Sequence, residues 1–196
     1  INNNKTPIRI FHNYFLRNIE ISKKTIDIGS GKHSSYLDFL KKKNVKLFFA
    51  DKFHKKDENF IEVDLEDDLK INDQTYDTVI MFNVLEHVEN YEKLISEIFR
   101  ILKPGGKFEI FVPFMHRYHE DPKDIFRPTH SYLNKCLEKI NFKVNVNLIG
   151  VGPFAVVSEI LLKYCKINFI KKFFILIFLI LNKVKKIFSK DYNTYY

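Results

Sequence analysis

Tryptophan is absent from the 196 residues, and cysteine and methionine occur only twice each. The lack of tryptophan beside 20 phenylalanines, with many Lys, Asn and Ile, points to a codon bias toward A and T more than to a function. Cys136 and Cys165 lie far apart and form no ligand-spaced pair. No disulfide framework is therefore expected, and a reduced, cytosolic compartment is. No apolar run reaches the roughly 20 residues that cross a bilayer. No signal peptide opens the sequence, and the first residue is not Met, so a trimmed N-terminus is expected. Acidic residues are missing between Leu161 and Lys190, where eight lysines fall. Those eight carry the whole net charge of +8, because 24 basic residues then face 24 acidic ones in the rest of the chain. A nucleic-acid footprint over the domain is thereby disfavoured. The length suits one domain with a sizeable core, and 45% hydrophobic content is ordinary.

What is present centres on Thr25-Ile26-Asp27-Ile28-Gly29-Ser30-Gly31. A β-favouring run breaks into a Gly-x-Gly turn, and a helical pattern is expected over Lys32–Lys43, with Tyr36, Leu37, Phe39 and Leu40 on one stripe. Strand, glycine turn and helix form the first half of a nucleotide-binding βαβ unit. A dinucleotide fingerprint would need Gly or Ala where Ser34 stands. Asp27, two residues before the first glycine, would repel a diphosphate and suits a cationic ligand. A NAD-linked enzyme is disfavoured on both counts.

Further runs follow in order. Residues 7–18 read as a helix opened by Pro7 and packing over the mouth of the site. Strand one is 24–28. Val45–Ala50 is a second strand ending in Asp51, placed 20 residues after Gly31 to accept ribose hydroxyls. Lys52–Asn59 is too short for a full helix. Phe60–Val63 is a third strand, ending in Asp64-Leu65; Asp64 either meets an adenine amino group or is simply solvated. Tyr76 to Val88, including Asn83-Val84-Leu85-Glu86-His87, is apolar without alternation, as in a parallel strand buried on both faces. Leu94, Ile95, Ile98, Phe99, Ile101 and Leu102 form a helical stripe ended by Lys103-Pro104-Gly105-Gly106, and Lys107–Val112 is a fifth strand. The alternation specifies an α/β doubly wound sheet.

The motifs "DIGSG", Asp51, Asp64 and the block from "NVLEHV" to "ILKPGGKFEIFVP" resemble class I S-adenosylmethionine (SAM) methyltransferases over about residues 25–149. The resemblance implies a Rossmann-like sheet and SAM as cofactor. It also implies that Asp27, Gly29 and Gly31 line the methionine part and that Asp51 holds the ribose. Asp64 and Leu65 would border the adenine, Asn83 would face the reactive centre, and His87 would stand at the site rim or cap a helix. The short connection after Asp51 departs from the family pattern and leaves the adenine-side wall open.

Beyond strand five, Pro113–Thr129 is rich in ionisable side chains, and loops at strand carboxyl ends carry the substrate site in open α/β sheets. His119, Asp124 and Arg127 resemble the His…Asp-x-x-Arg segment of methyltransferases encoded among surface-polysaccharide and cell-envelope genes. His116 or His119 is a candidate general base for an acceptor hydroxyl, and Arg127 a clamp for an acidic sugar or phosphate. The alternative is that His119, Asp124 and Arg127 order the loop among themselves. A metal held by His116, His119 and Asp121 lacks a well-spaced third ligand, so no metal is expected. His130–Ile140 reads as a helix capped by Thr129, and Phe142–Ile149 as strand six.

Residues 150–190 read as a basic, apolar helical insert before a last strand that starts at 191–196. Phe173–Leu181 sits between lysine pairs. It suits an interfacial membrane anchor, a buried core or dimerisation helix, or the last strand itself. The expected function is methyl transfer from SAM to a small-molecule acceptor such as a sugar, glycan or lipid-linked intermediate, in the cytoplasm or at the inner membrane face. A quinone or fatty-lipid acceptor, or a non-catalytic SAM-binding membrane protein, are the alternatives. Oligomeric state is not legible.

Overall fold

A computed structural model describes residues 7–31, 35–53, 58–116, 118–120, 123–145, 156–157, 161, 165 and 167–188. The chain forms two compact units. One comprises 18–113 and 119–146; the other comprises 1–17, 114–118 and 147–196.

The first unit is built on β1 (Glu20–Ile28), β2 (Lys41–Asp51), β3 (Phe60–Glu62), β4 (Tyr76–Phe82) and β5 (Leu102–Phe111). Every pairing is parallel, in the order β3-β2-β1-β4-β5. The chain winds outward from β1 through β3 and then returns to the other side at β4. That reversal opens a crevice at the carboxyl ends of β1 and β4. The two strands flanking it are the most enclosed: Ile26, Ile28, Val79, Ile80 and Met81 have no exposed surface. Unbroken apolar runs are what burial on both faces requires.

β1 begins four residues before the expected strand and β2 four residues before Val45, since Glu20–Ser22 pair with Lys41–Lys43. The helix expected over Lys32–Lys43 is therefore not formed in its described part. A single 3₁₀ turn, Ser35–Phe39, stands there, with Tyr36, Leu37 and Leu40 buried. One short turn buries this apolar stripe, and the exposed lysines beyond it gain ladder hydrogen bonds with β1. Asn44 is the extra residue where the register shifts, with φ +50; asparagine tolerates this left-handed geometry better than most residues.

α2 (Tyr91–Ile101) covers the sheet with Leu94, Ile95, Ile98 and Ile101, all fully buried. Each contributes about 1.5–3 kcal/mol by leaving water. Glu66 accepts from the Glu89 and Asn90 amides at 2.9 and 3.0 Å, holding the start of this helix. Near its end, Arg100 donates to the Leu69 and Ile71 carbonyls at 2.9 and 2.7 Å and to Asp73, while Glu97 accepts from the Leu69 amide at 2.8 Å. The irregular segment after Asp64 is thus fastened along its length. α3 (His130–Lys139) is capped as expected, the Tyr132 amide donating to Thr129 Oγ1 at 3.3 Å.

Lys103-Pro104-Gly105-Gly106 ends α2 but lies within β5, bulging between the pairs Tyr76↔Leu102 and Thr78↔Lys107. Opposite the bulge, Asp77 accepts from Lys103 Nζ at 2.9 Å and from the Lys24 amide at 3.2 Å. Strand six, expected at Phe142–Ile149, is not formed at 142–145, where Phe142 and Val144 pack on the core outside any strand; the rest of that range and the expected last strand at 191–196 lie outside the described residues.

The second unit holds α1 (Pro7–Leu16), with His12, Asn13 and Leu16 buried, and α4 (Asn168–Phe188). Phe173–Leu181 is thus helical, so the strand alternative for it does not hold. No described helix is long and apolar enough to cross a membrane.

The Lys103 hydrogen bond is the main reason the Asp77 carboxyl titrates below its ordinary value. Asp77→Asn is expected to destabilise the fold by about 1 kcal/mol at pH 7. A lowered carboxyl contributes stability above its unfolded value and loses it as pH falls through the folded one. Urea midpoints of wild type and variant should therefore converge below the ordinary aspartate range.

Candidate functional site

β1 delivers Asp27 and Ile28 to a turn in which Gly29 has φ +70 and Gly31 φ +58, a region that side-chain-bearing residues avoid. The Gly29 amide donates to the Ala50 carbonyl at 2.8 Å. A Cβ on Gly29 would stand 2.5 Å from a Val84 methyl, so the turn after β1 lies directly against the segment after β4. A Cβ on Gly31 would meet no described residue within 4 Å. One glycine is required by packing, and the other is set by its backbone conformation.

Asp51, buried at the end of β2, binds the same turn. Its Oδ2 accepts from the Gly31 amide at 2.7 Å and its Oδ1 from the Phe53 amide at 2.9 Å. An ionised carboxylate has about four acceptor positions, so each oxygen keeps one for a ligand hydroxyl. Asp27 is fully buried, and both of its oxygens accept from the Tyr36 hydroxyl, at 2.8 and 2.6 Å. Tyr36 was legible from sequence only as part of an apolar stripe. Nothing there signalled that its hydroxyl would reach back to the strand.

Asn83 ends β4 with φ +55, its amide donating to the Phe111 carbonyl at 2.9 Å. Such a conformation in a non-glycine residue is held by its surroundings and clusters at functional sites. Asp64 pairs with Lys52 at 2.8 Å and accepts from the Glu66 amide at 3.1 Å, while Leu65 packs on the core. The Lys52 hydrogen bond holds the Asp64 carboxyl below its ordinary value.

A second group of side chains follows β4. Glu86 and His87 lie on a 3₁₀ turn, Leu85–His87. His87 Nδ1 hydrogen-bonds the Lys123 carbonyl, and its ring stands edge-on to His119 with centroids 5.1 Å apart. Asp124 accepts from the His119 amide at 2.9 Å and is gripped by both Nη atoms of Arg127. Burial alone would raise Asp124; the Arg127 and His119 hydrogen bonds outweigh it and hold the carboxyl low. His119, Asp124 and Arg127 thus come together as a network that orders the loop, with His87 and Glu86 beside it. With both Nη atoms on Asp124, Arg127 has little of its fork left for an outside anion. His116 falls in the other compact unit, where its amide donates to the Phe114 carbonyl. Asp121 lies outside the described residues.

Glu86 was not singled out by sequence reasoning, because in an apolar run its acid reads as a strand-end residue. It has no exposed surface, and neither carboxylate oxygen has a hydrogen-bond partner. Burial pushes its carboxyl above the ordinary value; its own backbone amide, His87 and Arg127 oppose the shift in part, and Asp124 adds to it.

Comparison with known proteins bears on this geometry. A family model described as a methyltransferase domain matches residues 3–147. A Mycolicibacterium smegmatis protein named as an S-adenosylmethionine-dependent methyltransferase is 29% identical over 99 residues, covering 47% of this chain and 38% of that protein. The chain therefore spans well under half the length of that relative. A methyltransferase solved in complex with the Haloferax volcanii Trm112 activator superimposes with TM-score 0.53 at 22% identity, over 69% of this chain and 68% of its own. A SAM-dependent methyltransferase from Aquifex aeolicus gives TM-score 0.50 at 16% identity, over 71% and 81%. At these identities the structural likeness concerns the fold.

The two glycines should separate by substitution. Gly29→Ala adds a clash with Val84 to the strain of its φ and is expected to cost about 2–4 kcal/mol. Gly31→Ala carries the strain alone, about 1–2 kcal/mol. Chemical denaturation of both variants beside wild type reads the difference.

Proposed function

The chain belongs to the methyltransferase-domain family that its residues 3–147 match, and on that premise we propose that it transfers a methyl group from SAM to a hydroxyl of a sugar, glycan or lipid-linked acceptor. Its cofactor is SAM, a ligand with an amino-acid end, a sulfonium and a ribose but no phosphate. The residues present fit such a group. The observation that carries the reading is the Asp51 carboxylate, fixed by the Gly31 and Phe53 amides with an acceptor position free on each oxygen. Two vicinal ribose hydroxyls are donors of matching number. Gly31 carries no side chain to obstruct the amino-acid end of such a ligand, and Asp27 is a buried acid at the same turn, of the sign that suits a cationic group. Its bonds to Tyr36 give it the further task of bracing the turn.

Methyl transfer needs little covalent help from the protein. The acceptor oxygen must lie in line with the methyl–sulfur bond, whose electron pair returns to sulfur as the proton leaves the hydroxyl. Asn83, His87 and His119 are the residues assigned to the acceptor side, with His119 able to take that proton near neutral pH. Calorimetric titration with S-adenosylhomocysteine tests the cofactor half. Binding by wild type and at least a tenfold loss in Asp51→Ala are expected. No binding by folded wild type sinks the reading. Turnover assays against sugar nucleotides, lipid-linked sugars and quinones then separate the acceptor classes, and binding without turnover on any of them favours a non-catalytic role.

Among these acceptors, a lipid-linked one is favoured by α4. Phe169, Phe173, Phe174, Leu176 and Ile180 are exposed along it, and Lys171, Lys172, Lys183, Lys185 and Lys186 flank its apolar stretch without an acid between. Such a helix complements an anionic bilayer surface, with apolar side chains in the acyl boundary and ammonium groups at the phosphates. Co-sedimentation with phosphatidylserine-containing vesicles should exceed that with phosphatidylcholine alone. The joint change Phe173→Ser and Phe174→Ser should weaken it at least tenfold; equal sedimentation with both vesicle types would sink the assignment.

A further inference from the structure

A fully buried carboxylate without a partner is costly by several kcal/mol, so its surroundings ought to supply a compensating positive charge. Around Glu86 the candidates can be taken in turn. Arg127 is bound to Asp124 through both Nη atoms, which offsets most of its charge, while its buried Nε has no hydrogen-bond partner and does not reach Glu86. His87 Nε2 stands 3.8 Å from Glu86 Oε1. The other ring nitrogen, Nδ1, meets the Lys123 carbonyl, which can only accept, so Nδ1 carries the ring proton in the neutral imidazole. Nε2 is then an acceptor, as is an ionised Glu86 carboxyl 3.8 Å away. His119 stands beside them, its Nδ1 3.5 Å from Arg127 Nη2 and 3.6 Å from Asp124 Oδ2. One ligand atom from each of Glu86, His87 and His119 lies within 4.8 Å of the others.

We propose that Glu86, His87 and His119 form a binding site for one divalent cation of the zinc, manganese or iron class. Two imidazole nitrogens and one carboxylate are the donors such borderline ions prefer, and three protein ligands leave positions open for water or a substrate oxygen. Ligand bonds of about 2.0–2.2 Å require the three donors to close in from their present spread. The outer contacts are those of a metal site: the Lys123 carbonyl fixes the tautomer and ring plane of His87, and Asp124 holds the backbone of His119. The site stands on this geometry alone. Its use, to hold an acceptor oxygen beside the methyl donor, rests on the methyltransferase reading, and with an ion bound His119 is a ligand and the acceptor proton leaves to water in place of His119.

The test is calorimetric titration of the chelator-stripped full chain with Zn²⁺ and, separately, Mn²⁺, in parallel with S-adenosylhomocysteine. One ion per chain is expected, with affinity reduced at least tenfold in Glu86→Gln and in His119→Ala. Asp51→Ala should keep ion binding while losing S-adenosylhomocysteine. Glu86→Gln is isosteric, and circular dichroism checks that it folds. Added ion should raise the melting temperature of wild type and leave that of Glu86→Gln unmoved. Absence of stoichiometric uptake by folded wild type overturns the proposal and favours a protonated His87 paired with Glu86. Equal affinity in wild type and both variants overturns it too. Ion uptake without S-adenosylhomocysteine binding leaves the cation site standing and removes the methyltransferase reading.

Discussion

A single hydrogen bond of 2.7 Å, from the Gly31 amide to the Asp51 carboxylate, sets much of the geometry at the crevice. It joins the turn after β1 to the end of β2, so the two strands finish at one level. Parallel pairing alone would fix their direction and register, and the loops beyond would still be free to diverge. The Phe53 amide on the other oxygen of Asp51 bends the chain after β2 in the same way. Val84 against Gly29 adds the third wall. The site is therefore a product of backbone donors and one carboxylate, with steric contact closing it from the β4 side.

Much of this was legible in the sequence, for identifiable reasons. Central parallel strands are buried on both faces, so β1 and β4 appear as unbroken apolar runs. Asp51 stands at a distance from Gly31 that a βα-type connection dictates. Thr129 announced the start of α3 by its capping chemistry. The misreading of Lys32–Lys43 has an identifiable cause. Tyr36, Leu37 and Leu40 have a spacing that a 3₁₀ turn buries as well as an α-helix does, and Lys41–Lys43 has no intrinsic claim to a strand. Pairing with β1 decided the matter, and pairing is a tertiary fact. Glu86 and Tyr36 escaped notice for a related reason, since the role of each rests on residues far along the chain.

The polar group behind β4 shows how ionisable side chains divide labour. Asp124 and Arg127 neutralise each other and place the His119 backbone. Glu86 has no such partner among hydrogen-bond donors. The loop and the 3₁₀ turn after β4 together bring two imidazoles and a carboxyl side by side. The bracing comes from groups that a list of catalytic candidates would tend to merge with them.

The Arg100 contacts bear on what the molecule tolerates. Residues 69–73 have no regular secondary structure, yet Arg100 and Glu97 take up the Leu69 amide and the Leu69 and Ile71 carbonyls. Irregular surface segments usually accept insertions, because their backbone groups turn to water. Here those groups are committed to α2, and an added residue would move each out of reach of its partner. The stretch should therefore evolve at fixed length, like a strand, while its outward side chains remain free to vary.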